Sequence, residues 1–288
     1  MLRGEFTEHP TDEHCALRDR LLAEDAVHPT PEGVLEAEAA AFPETGVARL
    51  RDQLERRGLA LVQLDEPLPN DSFRRLGDLL GTPTPETDPA VQPYVDDTVI
   101  LNLRADQGRT ADVSLQPFAT GPLTLHSEGS GRAVAEQPRY IVLMCCDPGT
   151  AASASTVLVP MEAVTARLSD EDLHLLMATR YADRPGVPTV ARRDGRRVVY
   201  SFRDFHGTPL RWTCQAPRAD EQAVHGAMRR LLAEMYRPEP AYAVTWRRGL
   251  LVVIDNHRFF HGRTAGSAQG GDRPRHLKRL RVRTTPDG

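Results

Sequence analysis

The feature that most constrains the fold of this chain is a succession of strand-like segments that begins at Asp97 and continues almost to the end of the sequence. Runs that are apolar or alternate in polarity recur along it, as in DTVILNLRAD, RYIVLMCC, STVLVP, RRVVYSF, YAVTWRRGLLVVIDN and KRLRVRT. Two helical patterns interrupt them, EDLHLLMATR after a Ser169 or Asp170 cap and DEQAVHGAMRRLLAEMY. The alternating strand and helix units of a doubly wound fold are missing. The sequence therefore predicts a mainly β fold with flanking helices, built as a sandwich or jelly-roll barrel, whose mouth commonly holds a ligand.

Two further helices are predicted before this series of strands. An apolar face that runs from Val47 to Leu54 marks a helix that feeds the strand LALVQL. The segment NDSFRRLGDLLG predicts a second helix, capped by Asn70 or Asp71 and closed near Gly81. Both helices therefore flank the predicted sheets.

Length and charge restrict the domain organisation and the partner. Residues 1–45 are acidic, alanine-rich and interrupted by prolines, so we expect a helical or irregular extension packed on one main domain of residues 46–288. With 36 Lys+Arg against 40 Asp+Glu, the formal net charge is -4, which gives no electrostatic footprint for nucleic acid or for an anionic membrane. A small molecule is the expected partner, and the oligomeric state is left open.

The sequence also predicts a cytoplasmic location. No apolar run is long enough to span a bilayer, and the N-terminal segment is too charged for the core of a signal peptide. The four cysteines (Cys15, Cys145, Cys146 and Cys214) lack the paired spacing of a zinc site. Cys145 and Cys146 would lie on opposite faces of one strand, so buried, reduced thiols are expected.

A candidate metal site begins in the segment PLTLHSEGSG. Residues at i and i+2 of a strand share a face, so His126 and Glu128 would project together. The segment VVIDNHRFFHGRTAG can supply a third ligand from either His257 or His261. Two histidines and one carboxylate form the facial triad that holds Fe(II) and leaves positions open for a chelating cosubstrate and dioxygen. The same residue types can hold zinc with an activated water, and an isolated H-x-E pair is more often a solvated strand edge.

Two arginines in the segment DRPRHLKRLRV favour the iron alternative. Arg275 follows His261 by fourteen positions, and an α-keto diacid on iron needs a cation at its far carboxylate, which the planar fork of arginine matches. Arg279 lies on the same strand face because four is an even offset. The alternatives are a solvated basic strand for the segment and a salt bridge at the barrel rim for Arg279.

With these motifs in this order and spacing, the sequence resembles the iron(II)/2-oxoglutarate-dependent dioxygenases. Within that family it is similar to the clavaminate synthase-like group, which includes bacterial hydroxylases of free arginine and asparagine. The similarity covers L-x-x-H-x-E, the strand PRYIVLMCC, the threonine of STVLVP, the HGR segment and the late R-x-L-K-R, from about Leu54 to Arg283. It implies a double-stranded β-helix (jelly-roll) core. It also implies roles for six residues: His126, Glu128 and His261 on Fe(II), Arg275 and Thr156 on 2-oxoglutarate, and Arg279 on a substrate α-carboxylate.

The resemblance is less informative about the substrate pocket. Asn102 and Gln116 precede the metal strand and could donate amide hydrogen bonds to a substrate, or make structural turn contacts. Asp255 is expected to pair with Arg258 or Arg263, and a contact with substrate is the alternative. The small residues of GSGRAVAEQ, after the H-x-E pair, suggest a roomy pocket or a mobile lid.

The function implied by the resemblance is hydroxylation of an unactivated carbon, with Fe(II) as cofactor and 2-oxoglutarate and dioxygen as cosubstrates. The expected substrate is a small carboxylate-bearing molecule, a free amino acid or a derivative in natural-product metabolism. Alternatives within the same chemistry are a carrier-tethered or other small metabolite and desaturation or cyclisation. Alternatives outside it are a zinc hydrolase and a barrel that binds without catalysis.

Overall fold

The computed structural model describes residues 1–104, 115–150, 154–182, 184, 186–266 and 273–284, so the predicted domain of residues 46–288 includes positions outside these ranges. Strands dominate the described part, as predicted, and helices flank them. The strands are β1 (Leu2–Phe6), β2 (Leu35–Ala37), β3 (Leu59–Leu64), β4 (Thr82–Pro83), β5 (Val95–Asp96), β6 (Ile100–Arg104), β7 (Leu123–His126), β8 (Tyr140–Asp147), β9 (Thr156–Pro160), β10 (Thr179–Tyr181), β11 (Ala191–Asp194), β12 (Arg197–Tyr200), β13 (Leu210–Cys214), β14 (Tyr242–Val244), β15 (Leu250–Asp255), β16 (Phe259–Arg263) and β17 (His276–Arg283). The α-helices are α1 (Glu13–Leu21), α2 (Phe42–Thr45), α3 (Val47–Arg57), α4 (Asn70–Leu80), α5 (Met161–Thr165), α6 (Asp170–Ala178) and α7 (Glu221–Met235).

Two sheets form the centre of the molecule. The larger has eight strands in the order β2-β3-β15-β8-β17-β6-β5, with β4 paired to β17, and the smaller has the order β14-β9-β16-β7. Neighbouring strands run antiparallel, apart from the parallel pair β2 and β3. Two small sheets, β1-β13-β10 and β11-β12, lie outside this pair.

The two sheets share one apolar cluster. Leu61 of β3 and Ile254 of β15 meet Leu158 of β9 and Phe259 of β16 in it, so side chains of both sheets fill the space between them. Alternate residues of β15, such as Val253, pack instead on the outer face with α3 and α4. This burial on both faces explains why the strand is an uninterrupted apolar run.

The helix α3 confirms the prediction for residues 47–54. Val47, Leu50 and Leu54 are buried against the outer face of the large sheet. Gly58 ends the helix with φ +71, a left-handed conformation that glycine adopts without a steric penalty, and the chain turns directly into β3.

The helix α4 ends as predicted before Gly81, but its predicted cap is wrong. Pro69 is the residue that precedes the first turn, and no side chain caps it. Asn70 already belongs to the helix, and its amide nitrogen donates to Asp96 Oδ2 at 3.0 Å. The side chain is therefore used in a tertiary contact.

The helix α6 has the predicted Ser169 cap, and Asp220 caps α7. Ser169 Oγ accepts a hydrogen bond from Asp172 N, and Asp220 Oδ1 accepts one from Ala223 N. The two helices pack against each other in a second apolar cluster, into which α1 and β1 also bury residues. The N-terminal segment is tied to the core here, because β1 pairs with β13.

No helix among the described residues is long and apolar enough to cross a membrane. The four cysteines are free thiols. Cys145 points into the cluster between the sheets and Cys146 packs on the opposite face, as the strand period predicts. Burial raises the pKa of the Cys145 thiol to about 12, so it stays protonated at neutral pH.

Candidate metal centre and its cavity

Three metal-type side chains converge at one end of the small sheet. His126, Glu128 and His261 each offer a ligand atom, and these atoms all lie within 4.8 Å of one another. Glu128 Oε2 is 3.8 Å from His126 Nε2 and 3.7 Å from His261 Nε2. The two imidazole centroids are 4.3 Å apart. This geometry suits a single ion bound from one side by two nitrogens and one oxygen.

The pairing of two strands brings the histidines together. His261 of β16 lies directly opposite His126 of β7 in the antiparallel register. Gly262 permits this close approach, because a Cβ at that position would lie 2.6 Å from the Leu123 carbonyl oxygen. The glycine of the HGR segment is therefore needed where β16 pairs with β7.

Glu128 is positioned by a side chain that the sequence motifs do not include. The strand β7 ends at His126, and Glu128 lies in the turn that follows. The prediction that His126 and Glu128 share a face of one strand therefore does not explain the position of Glu128. The buried Asn256 fixes this turn: its Oδ1 accepts from Glu128 N at 2.7 Å, and its Nδ2 donates to Glu128 O and to Pro138 O. The amide thereby replaces the missing strand pairing.

His126 and Glu128 are prepared to bind a cation. His126 Nδ1 lies 2.8 Å from the Thr124 carbonyl oxygen, which places the ring proton on Nδ1 and leaves the Nε2 lone pair free. Burial and the nearby His261 lower the pKa of His126 to about 4, so it is neutral at pH 7. Burial opposes ionisation of Glu128, but Arg279, the two histidines and Arg281 hold the pKa of its carboxyl well below the usual range.

The second oxygen of Glu128 belongs to a network of charges. Arg281 Nη1 donates to Glu128 Oε1 at 3.3 Å, and Arg279 Nη1 lies 3.8 Å from the same atom. The buried Glu86 bridges both arginines, since Oε1 accepts from Arg279 Nη2 at 3.1 Å and Oε2 accepts from Arg281 Nη2. Glu128 therefore directs Oε2 to the histidines and Oε1 to the arginines.

A second set of polar groups lines the same cavity. Arg275 is buried and donates from Nη1 to the Ala154 carbonyl oxygen at 2.8 Å, but its Nε has no partner and no carboxylate of the described residues is paired with it. Burial lowers its pKa to about 10. Thr156 Oγ1 accepts from Trp246 Nε1 at 3.2 Å. The arrangement can receive an anionic group.

The cavity that joins these groups has a volume of about 450 Å3. It is lined by the three possible metal ligands, His126, Glu128 and His261, and also by Thr156, Arg275 and Arg279. The structure thus brings six predicted site residues to one cavity. Arg203, Tyr181 and Phe205 form another part of its wall.

His257, the alternative third ligand, lies elsewhere. It borders a separate cleft of about 930 Å3. Its Nδ1 is 3.0 Å from Arg139 Nη1 and 3.2 Å from Asp194 Oδ2. The predicted partner of Asp255 is also wrong: Oδ2 accepts from Arg139 at 2.8 Å, because Arg258 instead binds carbonyl groups at the C-terminus of α3.

The two amide residues do not line the cavity. Asn102 faces the opposite side of the large sheet, where it contacts Tyr94 O, Asp96 and His276, and the hypothesis of a direct substrate contact is corrected. Its neighbours Leu101 and Leu103 occupy the inner face instead. Gln116 Oε1 accepts a hydrogen bond from Arg203 Nη2 at 3.1 Å, so it supports a residue of the cavity wall.

A further group of metal-type side chains comprises Glu8, His14 and Cys15. Both carboxylate oxygens of Glu8 accept hydrogen bonds from Arg18, at 2.8 and 2.9 Å, and Arg18 also binds Asp204. An arginine thus neutralises the carboxylate, and the cluster ties the N-terminal segment to residue 204.

Comparisons with known proteins identify similar sequences. A family model described as taurine catabolism dioxygenase TauD, TfdA family, matches residues 24–281. A tyrosine isonitrile desaturase from Pseudomonas aeruginosa is 26% identical over 190 residues, which are 59% of this chain and 62% of that protein. The match thus spans less than two thirds of the length of this relative.

Solved structures share the fold. PvcB, an Fe, alpha-ketoglutarate dependent oxygenase from an isonitrile synthetic pathway, aligns with a TM-score of 0.59 at 22% identity, over 91% of this chain and 90% of that one. The non-heme iron oxygenase OrfP, in complex with Fe and alpha-ketoglutaric acid, gives 0.62 at 19% identity, over 97% and 93%. Asparagine oxygenase, with Fe(II), 2S,3S-3-hydroxyasparagine and succinate, gives 0.59 at 18%, over 85% and 80%.

Proposed function

The chain belongs to the TauD/TfdA family of dioxygenases, and from this premise we propose that it is an Fe(II)/2-oxoglutarate-dependent oxygenase of a small carboxylate-bearing substrate. The observation that carries the proposal is the pair of sites in one cavity: a group of two histidines and one carboxylate, and a buried arginine that is paired with no carboxylate of the described residues. We further propose that the two facing sheets are the double-stranded β-helix core that the sequence predicts.

The residues present fit the cofactor. His126, Glu128 and His261 would hold Fe(II), because their ligand atoms are close together, two are imidazole nitrogens, and Glu128 is held ionised by its arginine neighbours. Arg275 and Thr156 would hold the distal carboxylate of 2-oxoglutarate. Bound together with dioxygen, this cofactor and cosubstrate supply an oxidant that can remove hydrogen from an unactivated carbon.

The protein's own task is to position and to exclude water. Asn256 fixes the turn that carries Glu128, and Arg281 keeps Oε1 of that carboxylate away from the metal position. Apolar residues such as Leu143 and Leu277 line the cavity between the charged groups, so the reacting carbon can be held in a dry environment.

The substrate proposal is an amino acid or a derivative of one. It is supported by the structural neighbours named for asparagine oxygenase and for complexes with hydroxyarginine, and by the acidic composition, which gives no footprint for a polymer. Arg279 as the grip for a substrate α-carboxylate remains a prediction. Since Arg279 already binds Glu86, a substrate would have to share or displace that carboxylate.

Desaturation is the second candidate outcome. The observation that favours it is the similarity to tyrosine isonitrile desaturase, since a desaturase removes hydrogen from its substrate and adds no oxygen. A zinc hydrolase is disfavoured, because it gives no purpose to the buried charge of Arg275, which no carboxylate in the described part of the chain neutralises. Oxygen insertion and desaturation use the same proposed iron ligands, so only the products distinguish them.

The test is turnover by the anaerobically purified protein with Fe(II), 2-oxoglutarate and a panel of free amino acids, their N-modified derivatives and carrier thioesters. Succinate formation that depends on Fe(II) and on one panel member supports the proposal. A product about sixteen mass units heavier indicates oxygen insertion, and one about two units lighter indicates desaturation. Absence of Fe(II) binding, or turnover supported by Zn(II) alone, would contradict it.

A further inference from the structure

Arg203 lies beside the proposed metal ligand His126. The two residues form an antiparallel bridge, flanked by hydrogen bonds from Ser127 N to Phe202 O at 2.9 Å and from Asp204 N to Leu125 O at 3.0 Å. This pattern makes residues 126 and 203 a directly opposed pair without hydrogen bonds between them, the kind in which side chains are closest and share a face. The guanidinium of Arg203 therefore projects from the face that carries His126.

The backbone under Arg203 is rigidly held. Asp204 is buried and accepts hydrogen bonds from Arg18 Nη1 and from the Tyr236 hydroxyl, each at 2.7 Å. Thr124 Oγ1 donates to Asp204 O at 2.9 Å. A side chain on such a segment has a fixed origin, as a binding site requires.

The charge of Arg203 is not compensated within the described residues. Its side chain is half-buried and lines the cavity, and its hydrogen-bond partner is the neutral amide oxygen of Gln116 at 3.1 Å. No carboxylate of the described chain lies within ion-pair distance of it, although Glu128 and Asp204 are near enough to be felt electrostatically.

Of the other cations that line the cavity, Arg132 and Arg184 are exposed, and the remaining ones already have partners or an assigned role. Arg279 and Arg281 share the carboxylate of Glu86. Arg263 donates to three backbone carbonyl groups. Arg275 is the residue assigned to the distal carboxylate of 2-oxoglutarate. Arg203 is thus the unassigned cation next to the proposed metal position.

We propose that Arg203 binds the acidic group of the substrate. The inference rests on the proposed function and deepens it, because it names the segment after β12 as the part of the chain that recognises the substrate's acidic group. Arg279 then keeps its ion pair with Glu86. Tyr181 and Phe205, in edge-to-face contact with ring centroids 5.5 Å apart, form an aromatic part of the cavity wall. The expected ligand is a carboxylate attached to an aromatic or apolar group.

The test uses benzoate as the probe and benzamide as its neutral counterpart of the same shape. Binding is measured by calorimetry on the full chain, first with Co(II) and N-oxalylglycine, which occupies the Arg275 site, and then without either. We expect the wild type to bind benzoate and not benzamide. Arg203→Gln should weaken benzoate binding roughly tenfold to a hundredfold, the scale of a lost charged hydrogen bond, and Arg203→Lys should restore part of it.

A control variant shows whether the effect is specific to Arg203. Arg132→Gln removes an exposed charge from the cavity rim, so it should change benzoate binding less than about threefold. Equal affinity of wild type and Arg203→Gln, an equal loss of affinity in Arg132→Gln, equal binding of benzamide, or no benzoate binding at millimolar concentration would each overturn the proposal.

The proposed function fails by a different measurement. If Co(II) does not bind or N-oxalylglycine has no effect on the metal complex, the oxygenase assignment is refuted. In that case the titrations without metal still test whether Arg203 binds benzoate, because the β-bridge between residues 126 and 203 is part of the fold.

Discussion

Replacing Arg275 with methionine should separate stability from cosubstrate binding. Methionine fills a similar volume without the charge. The buried guanidinium has a pKa of about 10 in place of its usual 12.5, which corresponds to roughly 3 kcal/mol of unfavourable burial. The one hydrogen bond that its side chain makes to the described residues, to Ala154 O, contributes about 1 kcal/mol. The metal-free variant should therefore be as stable as the wild type or up to about 2 kcal/mol more stable.

The same change should impair 2-oxoglutarate binding. A charge-assisted hydrogen bond contributes about 1.5 to 3 kcal/mol, which corresponds to a rise in the dissociation constant of roughly ten- to a hundredfold or more. Stability is measured by urea unfolding of the metal-free protein, and binding by calorimetry with Co(II) in anaerobic buffer. The two results should move in opposite directions.

Arg263→Met is the matched control. This arginine is equally buried, but it donates four hydrogen bonds to the carbonyl oxygens of Gln116, Pro117 and Gly121. Burial lowers its pKa to about 9, which corresponds to about 5 kcal/mol of unfavourable burial, but its loss leaves three part-buried carbonyl groups without a donor at about 1 to 3 kcal/mol each. The control should therefore be less stable than Arg275→Met. If the two variants are equally stable and the 2-oxoglutarate affinity of Arg275→Met is unchanged, Arg275 is a structural residue and the reasoning is refuted.

Three further predictions concern the metal centre. His261→Ala should abolish Co(II) binding followed by its visible absorption, while His257→Ala should preserve it; the reverse result would show that the wrong histidine was assigned. Asn256→Ala should weaken metal binding roughly tenfold to a hundredfold, because the turn that carries Glu128 loses its support, and equal affinity would exclude this positioning role. The pKa of His126 is 6.5 in the unfolded chain and about 4 in the folded protein, so between these pH values only the unfolded chain binds a proton there. The free energy of unfolding of the metal-free protein should therefore fall by up to about 3 kcal/mol as the pH decreases through this window. His126→Gln should remove most of that slope in urea titrations, and an unchanged slope would count against the buried neutral imidazole.

The strand period explains which parts of the cavity could be predicted from sequence. Arg275 and Arg279 are separated by an even number of residues, and both line the cavity, as expected. The same rule places Arg281 there, although its contact with Glu128 was not anticipated. It also excludes Asn102, because the flanking leucines of β6 face the inner cluster and the residue between them must point outward.

Contacts between distant segments that belong to no motif could not be predicted. Asn256 reaches Glu128 across 128 positions, and Glu86 meets Arg281 across 195. Neither residue belongs to a motif, and each is fixed only when β8, β15 and β17 are adjacent in the large sheet. The weak sequence signal for Asn256 is a polar residue at the end of a fully apolar strand, where a buried amide must have partners.

The partners of the cavity arginines give a physical basis for dividing their roles. A buried cation is costly unless carbonyl groups or a carboxylate compensate it. Arg263 has carbonyls, and Arg279 and Arg281 have Glu86, so the fold itself accounts for these three. Arg275 and Arg203 are paired with no carboxylate within the described residues, although both lie in the cavity. Their burial is most simply offset by anions that arrive from solution. The proposed 2-oxoglutarate site at Arg275 and the proposed substrate site at Arg203 lie in different parts of one cavity. An enzyme that uses 2-oxoglutarate to oxidise a second acid requires such an arrangement.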